Sequence, residues 1–288
     1  MDDDAPKTEF ARVDALAGAD YSWAEGQHEQ PWGTRHGIWK FFYASGAIYE
    51  EVTYVDGRKQ GLSRCWREDG RIALEQWYEN GVRQGPYRGW YEDGSIKREG
   101  DLKKGTYEGI WTFYDRDGKY HVMEMRDGLG EGPINYFFAD GTVRGHGSCQ
   151  AGKHHGEFRQ NRRDGTGWSL AHFDNGKPLD EVSERSDGRK DVARYEDGLL
   201  AERTLWHASG RKRYHATFPT GRKVEWFDSG RKRREGRQVD NKPHGVEKMW
   251  FANGELRRTG KYRHGKKVGV WQWWNKDGTL ARERVFGD

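Results

Sequence analysis

Short runs rich in aromatic and β-branched residues alternate along the chain with glycine-centred polar breaks. Examples are Ile38-Trp39-Lys40-Phe41-Phe42-Tyr43, the stretch Ile48 to Val55, and Val270-Trp271-Gln272-Trp273-Trp274. Runs of this length and composition predict β-strands, and nothing after the first two dozen residues predicts a helix. The breaks keep time: glycines at 46, 70, 94, 118, 141, 165, 188, 210, 230, 254 and 278 are separated by 24, 24, 24, 23, 24, 23, 22, 20, 24 and 24 residues. A fixed period in this range is the signature of a repeat architecture, whose function lies in a surface more often than in a pocket.

The residue before each of these glycines is Asp, Asn or Ser, as in Asp69-Gly70 and Asn253-Gly254. Such pairs suit two-residue hairpin turns, so each marks a hairpin tip. A second glycine lies nine residues before most tips (Gly37, Gly61, Gly85, Gly109, Gly132, Gly156, Gly245, Gly269) and a third lies eleven after, from Gly57 to Gly265. Turns at all three marks are expected to bracket the strands. Five residues after the opening glycine stands a column of rings, Phe42, Trp66, Trp90, Tyr114, Phe137, Trp226, Trp250 and Trp274, which lapses at Asn161 and Glu184. Equivalent positions of successive hairpins share a face, so this column predicts an aromatic ladder in place of a conventional core.

The fold class that follows is all-β: tandem antiparallel hairpins forming an elongated, twisted single-layer sheet. Residues 37–288 hold about eleven repeats of roughly 24 residues, irregular between 165 and 230. Residues 1–36 form an amino-terminal extension or cap, with a weak apolar pattern at Phe10, Val13, Leu16 and Ala17 that suggests one short helix, and with Trp23 and Trp32-Gly33 as an eroded repeat over the first edge. Composition agrees: apolar residues are 33% and glycines number 40, too little apolar material for a thick two-layer core. A start of Met1-Asp2-Asp3-Asp4 without a basic, apolar leader, and no run of membrane-spanning length, point to a cytoplasmic protein. Cys65 and Cys149 are expected to be ordinary reduced thiols.

Candidate chemistry fades once placed in register. Gly147 to Lys153 matches a phosphate-loop spacing, but His154 stands where magnesium needs Ser or Thr, and Glu157 and Phe158 resume a strand where a helix should open. Gly128 to Gly132 is a junction of two units. His36, His155 and His244 share one turn position, and only His154-His155 are adjacent, so neither a metal nor another cofactor is expected. Glu51, Glu75, Glu99 and Glu283 recur at one position and are expected to pair with Arg or Lys across the sheet. No nucleophile and base stand in a context that commends catalysis, so the chain is not read as an enzyme.

Charge is more informative. Residues 203–288 hold 22 Lys and Arg against 9 Asp and Glu, a net of +13, while the rest carries −9. Arg211, Lys212, Arg213, Arg222, Lys223, Arg231, Lys232, Arg233, Arg234, Arg257 and Arg258 follow turns and form a candidate partner-binding stripe. An acidic protein, a nucleic-acid backbone or an anionic lipid surface would suit it.

The recurring pattern G-x-W-x-x-[FYW]-x-x-[DSN]-G-x-[IL]-x-x-E-x-x-[YF]-x-[DN]-G-x-x-x-G, best kept from Gly37 to Gly85, from Gly245 to Gly269 and from Gly269 onward, resembles the MORN repeat. The form it resembles is the longer bacterial variant of YwqK-type antitoxins. The resemblance covers close to nine tenths of the chain. It implies a hairpin-repeat scaffold without catalytic residues that binds a protein partner, most specifically a toxin it neutralises. The alternative it leaves is a scaffold on anionic lipid or nucleic acid.

Overall fold

The computed structural model describes residues 8–14, 21, 23–29 and 33–287. They are all-β, and they divide into two compact units: Met1–Val143 with Cys149–Gly152, and Arg144–Ser148 with Lys153–Asp288. Within each unit the extensive contacts run between strands adjacent in sequence, paired antiparallel, and among the described residues no second layer covers them. No helix among them is long and apolar enough to cross a membrane.

The local chemistry of the turns sets the repeat. At the tips Gly46 has φ of 88° and donates its N–H to the Tyr43 carbonyl at 3.0 Å, while Tyr43 donates to Ala47 at 2.9 Å. The residue before the glycine keeps negative φ and uses its side chain: Asp69 accepts from the Arg71 N–H at 3.0 Å and Asp93 from Ser95 at 2.9 Å. The tips are therefore longer loops closed by a left-handed glycine, not two-residue turns. The two-residue turns stand at the third mark, where Asp56-Gly57, Asn80-Gly81 and Lys104-Gly105 have both φ values positive.

The opening glycines are not turns either. Gly61 lies inside the strand Arg58–Trp66, with φ of 76°, where the register jumps from Val52↔Ser63 to Thr53↔Gln60. It makes a bulge that sharpens the local twist. At the amino terminus Phe10 and Val13 belong to the strand Thr8–Asp14, paired with Trp23–Glu29, so the expected short helix is overturned; Leu16, Ala17 and Trp32 lie outside the described residues. Backbone pairing to a neighbour, absent from any helix–coil argument, decides that segment. The irregular stretch is continuous: Gly167–Asp174 through Lys232–Val239 each pair with the next strand.

Burial is deepest two residues after the opening glycine, three before the ladder position. Trp39, Trp111 and Trp271 are fully buried there, joined by Ile134 and Phe158. Each large ring lies flat over a glycine of the preceding strand: a methyl at Gly100 would stand 2.4 Å from the Trp111 ring, and one at Gly260 2.1 Å from Trp271. The indole N–H groups are satisfied by backbone, Trp111 donating to Asp101 at 2.9 Å and Trp271 to Lys261 at 3.1 Å. The eight ladder residues are buried or half-buried, and their ring contacts are with the intervening strand, as in Trp23 on Phe42 at 3.9 Å and Tyr120 on Phe137 at 4.8 Å.

Gly236 occupies the same register position as Gly100 and Gly260 but faces Glu247, and a methyl there would meet nothing closer than 3.6 Å. Gly100→Ala and Gly260→Ala should each lower stability by about 1–3 kcal/mol through overpacking, with Gly236→Ala changing it by less than about 0.5 kcal/mol. Urea titrations followed by tryptophan fluorescence measure the difference, and equal midpoints for the three variants would contradict the packing argument.

Candidate functional site

The sheet face that carries the rings loses them in the middle of the second unit. Directly opposed residues share a face, and the row that begins at Phe158 continues through Ala171, Glu181, Ala193, Arg203 and Ala216. The next row runs Gln160, Ser169, Ser183, Asp191 and Leu205. Small or polar side chains stand where other repeats place Trp111 or Phe113, and the missing volume leaves a groove of about 440 Å³. Its ladder positions hold Asn161, Glu184 and Trp206, the first two being the lapses visible in sequence. Trp168, opposed to both Asn161 and Glu184, forms part of the wall.

The floor is anchored by an ion pair. Arg203 Nε donates to both carboxylate oxygens of Asp191, at 3.1 and 3.2 Å, which holds its guanidinium pKa above the ordinary arginine value. Lys190 lies 5.9 Å over the Trp206 ring, and Arg159 5.8 Å over Trp168. A smaller hollow of about 180 Å³ shares Arg203 and Asp191 and continues to Tyr195 and Leu200, and another of about 370 Å³ shares Leu205 and Arg213 and continues to Trp226. Burial pushes the Tyr195 and Tyr214 phenols up, so both remain neutral donors near neutral pH.

The eleven basic residues singled out from sequence take different tasks. Arg211 donates to the Asp228 carbonyl at 3.0 Å, and Arg231 to the Asn253 and Ala252 carbonyls at 2.5 and 3.3 Å, each stapling its tip to the next. Arg234 and Arg258 turn inward to Glu247, which is 4% exposed, with Arg258 at 2.9 Å. Arg222 and Lys232 converge on Glu235, lowering its carboxyl pKa chiefly through the Lys232 hydrogen bond at 2.8 Å. Lys223, Arg233 and Arg257 lie 5.5, 5.9 and 5.7 Å over Tyr214, Phe227 and Phe251. Lys212 and Arg213 are exposed, and Arg213 lines the groove.

Arg162, Trp168, Arg185, Asp191, Arg203 and Trp206 are groove residues that sequence reasoning passed over. Counting forward from an opening glycine misses Trp206, because that repeat has none; counting four back from its tip, Gly210, places it in the ladder. The other marked groups are structural. Glu51, Glu75 and Glu99 pair with Lys40, Arg64 and Arg88 at 3.7, 2.9 and 2.7 Å, while Glu283 accepts from Gln272 at 2.9 Å. His244 Nδ1 faces the His264 N–H at 3.5 Å, and Gly152 closes a turn with Ala151 ahead of the strand Lys153–His154. Among the described residues no three His, Cys, Asp or Glu side chains converge on a metal position. Cys65 and Cys149 are free thiols, and burial pushes Cys65 up to about 11.

Three segments, residues 35–56, 83–104 and 243–264, match the MORN repeat variant. Each ends at the first residue of a two-residue turn, Asp56, Lys104 or His264, and together they cover less than a quarter of the 288 residues. No curated protein matches the chain. Among solved structures, the crystal structure of a protein from Lactobacillus plantarum is similar over 98% of this chain and 97% of that one, at 10% identity and a TM-score of 0.15, too low to bear on the fold. The chain is a repeat scaffold in which MORN-variant units recur.

Two measurements separate structural from available charge. Glu247→Gln leaves Arg258 half-buried without a counter-ion and Arg234 with only Glu225, 3.6 Å away, and should cost about 3 kcal/mol, whereas Arg213→Gln should change stability by less than about 0.5 kcal/mol; comparable urea midpoints would refute the assignment. His172 Nδ1 lies 2.6 Å from Asp180, which raises its pKa above 6.5. That bond stabilises the fold fully below the unfolded-state value and is lost as pH rises through the folded one. Proton NMR should show the raised midpoint, and Asp180→Asn should bring it down.

Proposed function

We propose that the chain is a non-enzymatic repeat scaffold that holds a protein partner in the groove of its second unit. One observation supports this above the rest: the groove opens where the repeats stop filling their own face, at Ser169, Ser183 and Ala193. A hollow of about 420 Å³ also lies beside Trp77 in the first unit, but the arginines lining it, Arg64 and Arg88, are paired with Glu75 and Glu99. A surface whose volume and charge are left open is suited to a ligand supplied from outside. With the MORN-variant repeats and the resemblance to YwqK-type antitoxins, the specific form of the proposal is an antitoxin or immunity protein whose partner is a toxin.

The net charge of +13 over residues 203–288 favours a second role, attachment to anionic lipid or nucleic acid. It is the weaker of the two, because most of the basic stripe is already bound to carboxylates, carbonyls or rings.

A photo-reactive residue at Ser183 or Leu205 should cross-link one partner in the native host, and the same residue at Lys276 should not. The product of a neighbouring gene, expressed alone, should arrest growth, and co-expression of this chain should restore it. Cross-linking that fails at every groove position would remove the groove from the proposal, and a harmless neighbouring product would remove the antitoxin role.

A further inference from the structure

We propose that the groove recognises an extended acidic segment of the partner protein, through three guanidinium groups that the scaffold leaves unused; this rests on the protein-binding role above. Arg162 and Arg185 stand three residues before the tip glycines Gly165 and Gly188. At that position Tyr43, Arg67, Tyr91 and His207 each engage the ladder carbonyl of the next repeat, at 2.9, 2.9, 2.7 and 3.1 Å. Arg162 and Arg185 make no such bond, and both are exposed along the groove. Arg213 is the third, exposed where the groove meets the hollow that leads to Trp226.

The contrast with Arg203 sharpens the point. Arg203 is neutralised by Asp191 and fixed in the floor, so it shapes the site, and the three outer arginines supply its charge. A carboxylate meets a guanidinium through two parallel hydrogen bonds, and the planar fork loses less entropy per bond formed than an ammonium does. Because neighbouring hollows share Arg203 at one side and Leu205 with Arg213 at the other, the binding surface is a track suited to an extended chain.

Charge also decides between a peptide and a nucleic acid. Glu184 lines the track beside Arg162 and Arg185. A peptide brings backbone N–H donors to such a carboxylate, whereas phosphate groups bring only acceptors. The two tryptophans that a single strand would use for stacking already carry Arg159 and Lys190 over their rings. The track therefore fits alternating carboxylates and apolar side chains, the latter reaching Leu205.

The test is fluorescence anisotropy on the full chain with a labelled peptide alternating Asp or Glu with Leu, against its Lys counterpart, an oligothymidylate of matched charge and phosphatidylserine vesicles. The acidic peptide should bind, and weaken as salt shortens the reach of surface charge from about 8 Å to about 3 Å. The triple variant Arg162→Gln, Arg185→Gln, Arg213→Gln should lose about tenfold in affinity while keeping its circular dichroism spectrum, and Arg237→Gln, outside the groove, should lose none. Peptide affinity unchanged in the triple variant, or tighter binding of oligothymidylate or vesicles that the same variant abolishes, overturns the inference. Undiminished partner cross-linking by the triple variant sinks this recognition and leaves the scaffold role standing; arginine-dependent peptide binding without any captured partner does the reverse.

Discussion

A sheet with no second layer has to bury its apolar surface within itself, and the structure meets this constraint by laying a large ring flat over a glycine. Trp111 over Gly100, Trp271 over Gly260 and Phe158 over Gly147 are instances of one contact. The glycine gives up its side chain so that the indole rests on backbone, and the ring excludes water from both strands. Removing so buried a ring costs about 3–5 kcal/mol in ordinary cores, and here no neighbouring layer relaxes into the hole. The contact also explains a substitution that looks anomalous: Ser63 takes the tryptophan position, fully buried, where Val52 replaces the glycine opposite it. Large faces small and small faces larger, but serine and valine together fill less space than tryptophan and glycine, so the exchange compensates only in part.

Where the pair is broken without compensation, polar chemistry enters. Glu247 faces Gly236, and its carboxylate draws Arg234 and Arg258 out of the solvent. Ser63 leaves room for Glu50, which accepts from the serine hydroxyl at 2.7 Å and meets Lys59. These ionic substitutes cost desolvation that a ring does not. They also use up charges that composition alone would count as available, as do the arginines that staple one tip to the next.

The features that recur with the period inside one hairpin were legible in the sequence: the period itself, the hairpin tips, and the Glu51 and Glu75 ion pairs, whereas the turn expected at His36 and His244 is a strand. Those set by the exact register or by turn geometry were not. Asp-Gly suits both a two-residue turn and a left-handed closing glycine; the choice turns on whether the Asp69 carboxylate accepts the Arg71 N–H, a bond no pattern displays. Phe10 and Val13 fit a helical face as well as a strand until Trp23–Glu29 pairs with them. The groove announced itself only as two lapses, Asn161 and Glu184, since knowing that they open on Ser169 and Ser183 requires the register.

That register exposes why the groove lies where it does. The row carrying Lys40, Glu51, Arg64, Glu75, Arg88 and Glu99 in the first unit is polar and ion-paired. The same row in the second unit reads Leu170, Val182, Val192, Thr204 and, beyond His215, Val224. Larger apolar side chains have moved to the opposite face, where Val224 is 2% exposed and Leu170, Val182 and Val192 are half-buried, while the ring face keeps the small Ala193 and Ala216 buried. In a strand each residue alternates between faces, so hydrophobic residues gained on one side are free to be lost from the other without the sheet losing its total burial. The shortened repeats thus keep their pairing on aliphatic residues of one face, and the ring face is released from its structural duty to carry Glu181, Asp191, Arg203 and the open arginines. A binding surface on a single-layer repeat sheet needs such an exchange, because any side chain turned toward a ligand is one withdrawn from the only core the sheet has.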